Sequence, residues 1–169
     1  MEFETLFQEL TDSAEMIRAL LKGSDQEQAQ FKPGTDTWSI LEVTCHLRDE
    51  EQADFRARLD SILHRPDEAF VMINPQAWIK ERKYNEQDFE QVKESFFSER
   101  RKSLEWLKGL VSVDWETTHT DQYGSVTAGE MFSAWVAHDN LHIRQLVELR
   151  RTRIERITKP YLIEYAGEW

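Results

Sequence analysis

The feature that most constrains this chain is a helix start signal that occurs twice. Ser39 is followed three positions later by Glu42, and Thr127 by Glu130. In such a pair each side chain satisfies a free backbone N–H group of the first helical turn. An apolar residue precedes each pair and another sits at the fourth helical position, Trp38 with Val43 and Val126 with Met131. These can staple the entering chain to the helix. Both signals open runs with an apolar residue every three or four positions, Ile40 to about His64 and Thr127 to about Arg150. That period buries one stripe of a helix.

Two further runs share the period. Glu2 to Lys22 carries Phe3, Leu6, Phe7, Leu10, Ala14, Ile17, Leu20 and Leu21, and Gly23 stops it. A third helix is expected from a cap at Asn85, with Asp88 in its first turn and Phe89, Val92, Phe96, Arg100, Ser103, Leu104 and Leu107 on one face. Helices of ~18–26 residues gain their stability by packing such faces together. The expected fold is an all-α four-helix bundle with a long crossover between helices two and three. At 169 residues, 1–169 is expected to form one domain.

The crossover, residues 65–84, carries Phe70, Val71, Met72, Ile73, Trp78 and Ile79 and is too apolar for a free linker. It is expected to pack against the bundle, with a short helix around Gln76 to Arg82. Val111 to Val126 reads as a second connection, with His119 in a loop. Apart from an ambiguous Phe70 to Ile73, no run has the alternation of a strand. Pro160 ends the last helix, and the aromatics of the tail PYLIEYAGEW are expected to dock on the bundle.

Charge narrows the functional classes. The formal net charge is −11, and Lys and Arg cluster only in short runs such as Arg100 to Lys102. Nucleic acid is therefore not an expected partner, because phosphate binding needs a basic surface. No apolar run approaches the ~20 residues of a membrane span. One cysteine, Cys45, rules out an internal disulfide framework and fits a reducing compartment. With an acidic N-terminus unlike a signal peptide, the expected location is the cytoplasm.

The candidate chemistry lies in the histidines. His138 and His142 are four residues apart, on one face of the last helix about a turn from each other. Two imidazoles so placed can grip one divalent ion and leave other positions free. They could equally be packed or surface residues of that face. His46 lies roughly 10 Å inside the second helix, at ~1.5 Å rise per residue, and is neither a cap nor a frayed end. Three histidines inside core stripes would be costly to bury without partners, and a shared ion would satisfy all three. From the residues alone both readings stand. His-Asp-Asn-Leu-His lacks the glutamate base of the His-Glu-x-x-His metalloproteases, and the Glu-x-x-His pairs of di-iron bundles are missing. Cys45 points about 100° away from His46 around the helix and reads as a small buried residue.

The segment WSILEVTCHLRDEEQADF, followed much later by HDNLHIRQL, resembles the DinB-like superfamily. Its members share a tryptophan–serine helix start, a histidine within that helix and a His-x-x-x-His pair on the last bundle helix. The resemblance implies an up-up-down-down bundle, commonly a homodimer, with a divalent metal held by three histidines. Matched residue by residue, the ligands are His46, His138 and His142. Zinc or nickel is expected first, with iron and manganese also suited to imidazole. The superfamily includes bacillithiol S-transferases and mycothiol-dependent maleylpyruvate isomerase, so the implied activity is metal-dependent, S-transferase-like or hydrolase-like. The implied partners are a low-molecular-weight thiol and a small electrophile. Glu42, Asp49, Glu50, Asp139 and Gln145 lie within about a turn of a ligand and are candidates to orient it. The alternatives are a metal-stabilised bundle without catalysis and a partner-binding helical module. An enzyme needs an open cleft at the metal, a structural site is closed, and a partner-binding module exposes a large apolar patch.

Overall fold

A computed structural model describes residues 2–167 of the chain. Its helices are α1 (Phe3–Leu21), a short α2 (Gln26–Gln30), α3 (Ile40–Glu50), α4 (Arg56–His64), a short α5 (Pro75–Glu81), α6 (Phe89–Lys108) and α7 (Ala128–Ile157). Both expected capping boxes form. Ser39 Oγ accepts from the Glu42 N–H at 3.1 Å while Glu42 Oε2 accepts from the Ser39 N–H at 2.8 Å. Thr127 and Glu130 repeat the exchange at 3.1 and 2.8 Å. A third box, Asp25 with Gln28, opens α2 inside what reads as a polar linker.

The start of α6 differs from expectation. Asp88 is the cap, accepting from the Gln91 N–H at 2.9 Å. Asn85 is engaged elsewhere: its amide donates to the Gln30 carbonyl at 3.0 Å and accepts from Ser39 Oγ at 2.6 Å. Between α3 and α4 the helix does not continue as a plain α-helix but passes through a π turn, Glu51–Phe55. In the run 48–54 only Ala53 is apolar, so the hydrophobic period there carries no phase to reveal the extra residue.

The chain is mostly helical but not all-α. A small antiparallel hairpin, β1 (Thr118–Asp121) and β2 (Gly124–Thr127), pairs Thr118 with Thr127 and Asp121 with Gly124. Asp121 Oδ1 accepts from the Tyr123 N–H at 2.8 Å, and Gly124 takes a φ of +134° that residues with a side chain rarely adopt. Two strands of four residues are too short for alternation to stand out. His119, expected in a loop, is buried on β1, where its Nδ1 donates to the Pro66 carbonyl at 2.8 Å and its ring stacks on Phe70. The hairpin thus holds down the start of the crossover.

The crossover contains α5, whose cap Asn74 accepts from the Ala77 N–H at 3.1 Å, and Trp78 is buried. Phe70 to Ile73 forms no strand, and Val71 and Met72 are exposed. Past Arg150, α7 runs on to Ile157. The tail does not dock as expected: Tyr161, Leu162 and Tyr165 are exposed, and its last residues, Glu168 and Trp169, lie outside the described residues. Among the described residues no helix is long and apolar enough to cross a membrane.

The core has two apolar clusters. One includes Ile17, Leu21, Leu47, Phe96 and Leu146, the other Leu10, Leu59, Leu107, Phe132 and Trp135. On each long helix a polar residue lies between members of the two clusters, and these residues meet at Arg100, only 2% exposed. Its guanidinium donates to both oxygens of Glu51 at 2.8 and 2.9 Å, and to both oxygens of Asp139 at 2.6 and 2.9 Å. It also reaches the Leu10 carbonyl at 3.1 Å. Ser13 donates to Asp139, and Trp135 Nε1 donates to Glu51 at 3.2 Å. The planar fork of arginine suits two carboxylates at once. One buried layer therefore joins α1, the π turn, α6 and α7.

Candidate metal centre

The layer stands beside the three histidines, since Asp139 follows His138 and Glu51 follows Glu50. His46 comes from the middle of α3, and His138 and His142 from successive turns of α7. The Nε2 atoms of His138 and His142 are 3.1 Å apart. The His46 ring centre is 4.8 Å from that of His142 and 5.5 Å from that of His138. One ligand nitrogen from each ring can be chosen so that all three lie within 4.8 Å of one another. The structure thus brings together the three histidines singled out in the sequence.

Their protonation suits a metal. His46 and His142 are 4% and 5% exposed. Burial pushes both imidazoles down to about 4, with neighbouring histidines adding to the effect and Glu50 opposing it. They are therefore neutral at pH 7, the form in which imidazole binds a cation. His142 Nδ1 donates to Gln145 Oε1 at 2.8 Å, which leaves the lone pair on Nε2, facing His138. His46 Nδ1 is buried without a hydrogen-bond partner. A set of convergent imidazoles fits a borderline divalent ion such as zinc, nickel, iron or manganese.

The orienting candidates separate into two groups. Gln145 holds His142, and the Glu50 carboxylate lies 3.0 Å from His138 Nε2 and 3.6 Å from His46 Nε2. Burial would raise the Glu50 carboxyl, but the His138 hydrogen bond and the nearby imidazoles outweigh it and hold it below the usual carboxylate range. Glu42, Asp49 and Asp139 are engaged away from the rings. Glu42 caps α3 and pairs with Lys32 at 3.0 Å. Asp49 takes Arg48, Arg82 and the Tyr84 hydroxyl at 2.7, 2.6 and 2.7 Å, tying α3 to the crossover. Asp139 belongs to Arg100 and Ser13. Cys45 is buried against the Tyr84 carbonyl at 3.7 Å and pushed up to about 12, mainly by burial. His64 is exposed beside Asp60.

Sequence reasoning missed the walls of the site. Trp38, read as a helix staple, stacks on His142 at 6.2 Å and meets the His46 ring edge-on at 4.8 Å. Phe55, in the π turn, lies 4.9 Å from the His138 ring. A cavity of about 330 Å³ opens beside His142, lined by Trp38, Leu141, Arg144, Gln145 and Glu148. His138 itself is only half-buried. The one available signal was the position of Trp38 just before the capped helix that carries His46.

Residues 9–146 match the family model of the DinB superfamily. Among solved structures the chain is similar to YfiT from Bacillus subtilis, described as a probable metal-dependent hydrolase with an unusual four-helix bundle topology. The TM-score is 0.78 over 90% of this chain and 87% of that one, at 17% sequence identity. At that identity the likeness is one of fold. A search of curated proteins returns no match.

Proposed function

The chain belongs to the DinB superfamily, and from that premise we propose that it is a metal-dependent enzyme acting on a small molecule through a divalent ion held by His46, His138 and His142. The observation that carries this reading is the convergence of three imidazoles from two helices, with a cavity beside one of them and another half-buried. A non-catalytic, metal-stabilised bundle would call for a closed site, and the half-buried His138 speaks against it. The description of YfiT as a probable metal-dependent hydrolase supports the same class.

A divalent ion held by these residues would lower the pKa of a water or thiol placed on it. The protein's part is to orient and to shield. Gln145 fixes the His142 tautomer, Trp38 and Phe55 flank the imidazoles, and we assign the substrate to the cavity beside His142. Hydrolysis and transfer of a low-molecular-weight thiol to an electrophile both fit such a site. Zinc or nickel suits the donor set first. We further take residues 1–169 to be one domain in the up-up-down-down arrangement, cytoplasmic and homodimeric. The 65–84 crossover between α4 and α6 supports that arrangement, and the single cysteine supports a reducing compartment.

The test begins with metal content. Protein purified without a metal-affinity tag should contain about one divalent ion per chain by elemental analysis, and His138→Ala close to none. A variant that kept its full metal content would remove the three-histidine reading. Turnover is then screened with thiols and with hydrolytic substrates, with and without chelator. If nothing is turned over in a metal-dependent way, the enzymatic reading fails and the metal reading survives.

A further inference from the structure

Glu50 is the last residue of α3, one turn beyond His46, and is 7% exposed. Its two oxygens face two helices' imidazoles, Oε1 at 3.6 Å from His46 Nε2 and Oε2 at 3.0 Å from His138 Nε2. Its neighbour Glu51 projects about 100° away around the helix and binds Arg100. The π turn, a local widening that recurs at functional sites, begins at that residue.

What sets Glu50 apart is the company it keeps. Each of the other buried carboxylates has a permanent cation: Lys32 at Glu42, Arg48 and Arg82 at Asp49, Arg100 at Glu51 and Asp139, Arg56 at Glu99. Among the described residues no Arg or Lys pairs with Glu50, whose ion-pair partners are His46 and His138. A carboxylate taken out of water without a fixed positive charge is costly. The missing charge falls where three imidazoles converge.

We propose that Glu50 belongs to the metal site, as the carboxylate arm of a three-histidine, one-glutamate donor set spanning α3 and α7. This rests on the metal reading above. A mixed nitrogen and oxygen set neutralises part of the ion's charge and suits divalent zinc, nickel, iron or manganese. It does not suit copper(I), which soft sulfur ligands select.

The experiment compares metal-free wild type, Glu50→Gln, Glu50→Asp and His138→Ala, with Zn²⁺ and Co²⁺ as probes. Affinity is read by competition with a chromophoric chelator, the ligand set by the visible absorption of bound Co²⁺, and folding by metal-free thermal melts. Glu50→Gln should bind zinc at least about 10-fold more weakly, because even a carboxylate that only supports a ligand contributes about 10–100-fold. Its Co²⁺ spectrum should shift and its metal-free melt should stay at or above that of wild type. Unchanged affinity and spectrum would overturn the proposal, as would a lower metal-free melt with zinc affinity retained, the mark of a structural role. If Glu50→Gln does not fold, Glu50→Asp decides: wild-type affinity and spectrum overturn the proposal, and weakened binding supports it. Failure of the underlying metal reading looks different, since wild type itself would not bind or His138→Ala would bind as wild type does.

Discussion

Arg100 is the residue on which most of the buried polar chemistry depends. Removing it leaves Glu51 and Asp139 as buried, unpaired carboxylates. Breaking one side of a buried ion pair typically costs about 3–5 kcal/mol. Arg100→Leu should therefore lose about that much stability in urea unfolding, and Arg100→Lys should recover only part, because an ammonium cannot bridge two carboxylates with a planar fork. A loss within ~0.5 kcal/mol, the range of ordinary surface substitutions, would mean that the network contributes little. Cys45, fully buried, should resist a thiol-alkylating reagent in native protein and react once the chain is unfolded. At this scale the histidines were legible because ligand spacing is a local property of one helix. Arg100 was not. It sits in the same apolar stripe as Phe96 and Leu107, and a charge in such a stripe signals burial only when carboxylates from two other elements can be seen to meet it. Glu50 was legible as a neighbour one turn from His46, but its contact with His138, which lies on another helix, was not.

Among the elements, helix starts were the most readable feature because a capping box is written within four residues. Ser39→Ala removes the acceptor for the Glu42 N–H and a hydrogen bond to Asn85. It should destabilise the protein by about 1 kcal/mol, within the usual range for an N-cap, measured as a lower urea midpoint. The π turn was unreadable because its flanking residues are polar, and the hairpin because its strands are four residues long. The attachment of the crossover depends on Asp49. Burial would raise this carboxyl, but the bonds from Arg48, Tyr84 and Arg82 prevail and lower it. A depressed carboxylate contributes stability that is complete above its unfolded pKa, ~3.9, and is lost as pH falls through the folded value. Stability of the wild type should thus drop more steeply below about pH 4 than that of Asp49→Asn, which has no carboxylate to titrate. Parallel curves of urea midpoint against pH would show that Asp49 does not hold the crossover.

For the molecule as a whole, the proposed ion would join α3 to α7 where their histidines meet. A ligand that binds only the folded state at 100 times its Kd stabilises it by about 2.7 kcal/mol. A chelator should therefore lower the Tm of wild type and leave that of His138→Ala unmoved; equal shifts in both would place the chelator's effect elsewhere. The bundle itself was legible from four apolar stripes, since stripes of that length must find partners. Which stripe lies beside which, and at what height, was not, because periodicity carries no information about sliding along an axis. The layer around Arg100 bears on that height. A slide of α6 by one turn, about 5.4 Å, would carry the guanidinium away from both carboxylates, to the level now held by Phe96 or Leu104. Neighbouring heights are thus penalised. The helices are indexed to one another at a single notch, and the two that carry the histidines take their alignment from it.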